Sequence, residues 1–182
     1  MTVLGSSEST ARIASYCRAE QLVFALAGDG ATRFASSESA PTLLAVAAHA
    51  AWRATRWYEL LPTAPPGPDT FLVPTEADRE VAAVARERIV DVVTLLAVLS
   101  VELLPRVRRA MEEHLDRTTP VADAEVQRIL GIARTDLATD LLALRDSLER
   151  SSPTPEDRDR ADAVVGAVAA VAGRPGWPEP RR

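Results

Sequence analysis

Apolar positions recur along this chain at steps of three and four residues and nowhere alternate, so the pattern predicts helices and no strand worth defending. Ile13, Cys17, Glu20, Phe24 and Ala27 step by four, three, four and three. That spacing marks one face of a helix over residues 10–27, which Gly28-Asp29-Gly30 is expected to stop. A second helix is predicted from Ser39-Ala40-Pro41, with Ser39 as its cap and proline tolerated in its first turn. Its seam is Leu43, Ala47, Ala50, Ala54, Trp57 and Leu61, and Pro62 ends it. Residues 63–74 hold four prolines and read as an ordered but irregular crossover.

Thr75-Glu76-Ala77-Asp78 has the form of a capping box, with Asp at the third position. The helical pattern that follows runs to about Leu115, roughly 40 residues. Pro105 is expected to kink or split it, by removing a hydrogen bond and crowding the carbonyl of Val101. A fourth helix is predicted over residues 121–150 on the seam Val126, Leu130, Ala133, Leu137, Leu141, Leu144 and Leu148. Thr154-Pro155-Glu156-Asp157 caps a last helix ending at Gly173. The expected fold is all-α, four main helices packed as a bundle plus a C-terminal helix. A single domain over residues 1–173 and a flexible tail over 174–182 are expected. The tetrapeptide Glu-Leu-Leu-Pro occurs at residues 59–62 and again at 102–105, either the remnant of a duplicated helix pair or a coincidence in a Leu-rich chain.

Composition narrows the function classes. The 182 residues suffice for one domain with a sizeable core. The formal net charge is -5, which argues against a nucleic-acid or anionic-membrane partner, since both need a basic surface. All 21 basic residues are Arg, because the chain has no Lys and no Asn. A gene rich in G and C accounts for both absences, and the missing Lys excludes Schiff-base chemistry, a Walker-type phosphate lysine and pyridoxal attachment. Cys17 is the only cysteine, so no intrachain disulfide or CxxC motif exists. The first nine residues carry no secretory pattern, and the most apolar stretch, residues 89–104, is shorter than a membrane span and holds Asp91 and Glu102. The expectation is a soluble, cytoplasmic protein.

Bundles build sites from polar side chains that face inward, so charges near apolar seams are the candidates. Glu20 shares a stripe with Cys17 and Phe24; it meets a metal, an Arg or a ligand, or else the helix is rotated and it sits at a solvent edge. Glu102 lies inside the most apolar stretch, with a surface pair to Arg106 as the plainer reading. Asp136 and Asp140, four apart, project from one face beside a leucine seam; paired carboxylates can hold a divalent metal, while exposure is the expected state. His49 lies one position from the second seam and reads as a packed, hydrogen-bonded side chain before a ligand. His114 near a helix C-terminus would complement the helix dipole as a cation. Arg53 and Arg56 flank Trp52 and Trp57 and either line a pocket for an anionic ligand or are ordinary surface arginines. Cys17 reads as an inert buried thiol. No G-x-S-x-G, G-x-G-x-x-G or H-E-x-x-H motif occurs.

The segment 49–57 (HAAWRATRW), the Glu-Leu-Leu-Pro after it and the segment 114–123 (HLDRTTPVAD) resemble stretches of small ferritin-like proteins from high-GC bacteria. The resemblance covers residues 12–150 and implies a ferritin-like four-helix bundle. Active di-iron or di-manganese members of that superfamily use glutamates on two helices and Glu-x-x-His on the other two. Here Val46 stands three residues before His49 and Met111 three before His114, so neither motif is present. Glu20 alone matches a first-helix ligand, and Arg53 and Thr55 stand where related stretches are richer in His and Glu. The resemblance therefore implies a degenerate ferritin-like protein without an intact di-iron site, acting by binding a small molecule or a partner chain, a second copy of itself included. The alternative is a non-standard metal-dependent oxidoreductase, an oxygenase or hydroxylase of small-molecule metabolism, using Glu20, His49, Glu102, Asp136 and Asp140 with iron or manganese.

Overall fold

The computed structural model describes residues 4–174 together with 177 and 178. Among these residues the regular structure is entirely helical: α1 (Ser6–Arg33), α2 (Ala40–Glu59), α3 (Glu76–Arg88), α4 (Val92–Ala97), α5 (Leu104–Leu115), α6 (Ala124–Arg150) and α7 (Pro155–Ala172), with a 3-10 helix at Pro68–Leu72 and a π-helical stretch at Val98–Leu103. None of them is long and apolar enough to cross a membrane.

α1 and α2 form the most intimate helix pair, running antiparallel, as the neighbours Cys17–Ala54 and Gly28–Ala47 show. Alanines at 47, 50 and 54 let the two backbones approach closely, and the whole predicted seam of α2 is buried. α5 returns alongside α1, with the Tyr16 hydroxyl donating to the Ala110 carbonyl at 2.9 Å. α6 packs against α5, α2 and α4, and its seam from Leu130 through Leu144 is buried as expected. α7 lies across α3, α4 and the π-helical stretch, with Val168 fully buried. One hydrophobic cluster draws on all seven α-helices.

The structure departs from the expected elements at identifiable points. α1 continues through Gly28-Asp29-Gly30 to Arg33. Gly30 marks a close approach, because a β-carbon there would stand 2.1 Å from Leu95 Cδ2. Ile13, Cys17, Glu20 and Ala27 of the expected stripe are buried, but Phe24 is 49% exposed and the neighbouring Val23 is buried in its place. Ser39 makes no capping bond. The expected capping boxes at Thr75–Asp78 and Thr154–Asp157 are both formed.

The long third helix breaks at residues 89–91, where extended Ile89 ends α3 and the Asp91 side chain accepts from Thr94 N–H to start α4. Pro105 does not split it. The turn before the proline widens instead, the Leu104 N–H reaching the Leu99 carbonyl five residues back. The fourth helix starts at Ala124, and Val121 lies outside it, 94% exposed. In the crossover, Gly67 adopts φ 91, a left-handed value that favours glycine. The expected tail over 174–182 lies partly outside the described residues; within it, Arg174 pairs with Glu80 and Trp177 is buried.

Candidate functional site

Four of the six candidate residues come together where α1, α2 and α6 meet. Arg53 lies on the buried face of α2 between Ala50 and Trp57, with no exposure to solvent. Its Nε and Nη2 donate to the two carboxylate oxygens of Glu20 at 2.8 and 3.0 Å. Its Nη1 donates to Asp140 Oδ2 at 2.7 Å. The other oxygen of Asp140 accepts from His49 Nδ1 at 2.6 Å, which fixes the proton on that ring nitrogen. Glu20 is fully buried and Asp140 nearly so, while the His49 side chain is 48% exposed. Asp140 was expected to be exposed; it is instead buried, because the inner face of α6 extends beyond the seam of Leu137, Leu141 and Leu144 to include it.

The electrostatics follow from burial against pairing. Burial pushes the Glu20 carboxyl above its ordinary range, against the pull of Arg53. For Arg53, burial works downward, but the carboxylates of Glu20 and Asp140 outweigh it and hold the guanidinium charged. The forked contact, with both Glu20 oxygens accepting, is the geometry of guanidinium and carboxylate, so the ion pair is the state to accept. Formal charges of -1, -1 and +1 leave the Glu20–Arg53–Asp140 trio at -1. Asp136 is half-buried, bonds to nothing among the described residues and adds a weaker repulsion at Glu20.

Glu102 stands apart, on α5's approach, paired with Arg106 at 2.6 Å as the surface reading had it. Arg56 pairs with Glu59 and lies 5.9 Å from the exposed Trp52 ring. Cys17 donates to the Ala54 carbonyl, and burial raises its thiol to about 11, so it is a poor nucleophile.

A second buried polar group went unrecognised in the sequence. His114 has no solvent exposure; its Nε2 lies 3.1 Å from Ser9 Oγ, and its Nδ1 is buried without a hydrogen-bond partner. Burial first, and then the charge of Arg12, lowers its pKa to about 4. His114 is thus neutral at pH 7 and does not serve the helix dipole as a cation. Tyr16 packs between it and Trp57, with ring centroids 5.8 and 5.4 Å away. The spacing Ser9, Arg12, Tyr16, Glu20 (three, four, four) was the available signal, a polar stripe beside an apolar one.

Three hydrogen bonds tie Glu20, Arg53 and Asp140 together out of contact with solvent, and His49, bonded to Asp140, links them to the surface. Among the described residues no group of three or more His, Cys, Asp and Glu is arranged to hold a metal ion. No protein-family model matches the chain, and no curated protein or solved structure does either.

Proposed function

We propose that this chain is a ferritin-like helical bundle whose charged interior is closed by an arginine, and that it works by binding rather than by metal-centred oxidation. One observation carries the reading: the Arg53 guanidinium engages both oxygens of Glu20 and one of Asp140. In the resemblance to the ferritin-like superfamily, inward carboxylates hold iron or manganese. Here the same residue types do not fit such an ion, because the guanidinium occupies the space between them and supplies the positive charge they need. His49 spends its Nδ1–H on the remaining Asp140 oxygen. No Glu-x-x-His is present to supply further ligands. The described surface also offers clefts of about 330 to 390 Å³, within the size range of small-molecule sites.

Elemental analysis tests this reading on protein purified without chelators or a metal-binding tag, before and after anaerobic loading with ferrous iron. The expected result is far less than one iron or manganese per chain in both samples. One or two ions per chain, lost on Glu20→Ala, would overturn it in favour of the oxidoreductase.

A further inference from the structure

Outside the charged interior, a cleft among the described residues has a positively charged lining, opposite in sign to the chain as a whole. It lies between α1 and α3 and is about 330 Å³ in volume. Its apolar lining comes from Leu22, Ala25, Ala82 and the indole of Trp177. Arg18, Arg79 and Arg86 line it against a single acid, Asp78, so three positive charges less one negative give +2. The chain as a whole carries -5.

The arginines are not equivalent. Arg18 is committed within the fold, donating to Asp78 at 2.7 Å and to the Phe71 carbonyl at 2.7 Å, and it neutralises the one acid of the cleft. Arg79 gives one donor to the Pro74 carbonyl and keeps the rest. Arg86 is exposed and has no partner among the described residues. It also lines the adjoining cleft, of about 390 Å³, together with Phe34 and Arg33. The indole N–H of Trp177 is buried without a partner. By contrast, the cleft beside α7 carries Glu149 and Asp162 against Arg158 and offers an anion nothing.

An unspent guanidinium at the mouth and an apolar, aromatic lining below it suit a ligand with two ends. We infer that the α1–α3 cleft binds a small organic anion, a carboxylate on an apolar body, with the carboxylate at Arg86 and Arg79 and the body against Leu22, Ala82 and Trp177. This deepens the binding reading given above by naming a ligand class and a place, and it stands apart from the closed interior at Arg53.

Isothermal titration of the full chain with 2-naphthoate, and in parallel with its neutral carboxamide, tests the inference. The expected result is saturable one-to-one binding of the acid with Kd below about 1 mM, and binding of the amide at least about five-fold weaker. Arg86→Gln, a change at an exposed and unpaired side chain, should remove most of that preference while leaving the melting temperature unchanged. Equal affinity for acid and amide, no saturable binding up to about 5 mM, or a preference that survives Arg86→Gln would each overturn it. None of these outcomes bears on the metal content, so failure of the cleft and failure of the metal-free reading are read from different experiments.

Discussion

Two buried basic side chains, Arg53 and His114, meet the cost of leaving water in opposite ways. Arg53 cannot shed its proton, so α1 and α6 bring it two carboxylates, and the pair survives burial as an ion pair. His114 can shed its proton and does, with a pKa lowered to about 4 by burial and by Arg12. That difference has a pH signature. In the unfolded chain the ring takes up a proton near its ordinary 6.5; in the folded chain it does so only near 4. Between those values the unfolded state binds more protons, so stability is complete above about pH 6.5 and falls as acid is added, by about 3 kcal/mol once pH 4 is passed. His114→Gln should therefore unfold at a denaturant midpoint that changes less between pH 7 and pH 5 than that of the parent chain. Parallel pH profiles for the two proteins would contradict the assignment.

At the scale of elements, close approach decides more than propensity. Gly28 and Gly30 lie two residues apart in the same helix, and glycine in a helix interior ordinarily costs about 1 kcal/mol against alanine. Gly28 has room, since its added β-carbon would sit 4.0 Å from Ala47 Cβ. Gly30 has none, because Leu95 is already there and is 1% exposed. Gly28→Ala should accordingly stabilise the protein by about 0.5–1 kcal/mol. Gly30→Ala should destabilise it by about 1–2 kcal/mol, the overpacking outweighing the gain in propensity. Chemical denaturation of both variants decides the point, and equal effects would mean that the α1–α4 contact is looser than described. The same principle governs Pro105. Its missing N–H removes a bond in the turn before it, and the chain answers with a π-type turn that keeps the Val98–Leu103 segment continuous with its neighbours.

At the scale of the whole molecule, α7 is part of the core rather than an appendage. Val168 is fully buried, and Ala161, Val164 and Ala172 join it against α3, α4 and the π-helical stretch. Val168→Ala removes two buried methyl groups and should cost about 2 kcal/mol. If α7 shares one cooperative unit with the rest, tryptophan fluorescence and far-UV circular dichroism should report that loss in a single coincident transition. Two separated transitions would show α7 melting alone.

Much of the local structure was legible along the chain because helices answer to local chemistry. The three- and four-residue periods, the capping boxes at Thr75 and Thr154 and the glycine at 173 depend on neighbours within one or two turns, and those neighbours are present in the sequence. So was the suspicion that Glu20 lies on a buried stripe. Period alone, however, says which residues share a face and not which way that face turns. The exposure of Phe24 within an otherwise buried stripe of α1, the burial of Asp140 beside the leucine seam of α6 and the break at residues 89–91 were set by packing between helices. The partners of Arg53 lie 33 and 87 residues away. Only the assembled fold could decide that an arginine, and not a position open to a metal ion, would face those two carboxylates. A buried charge takes whichever counter-charge the neighbouring helices bring to it.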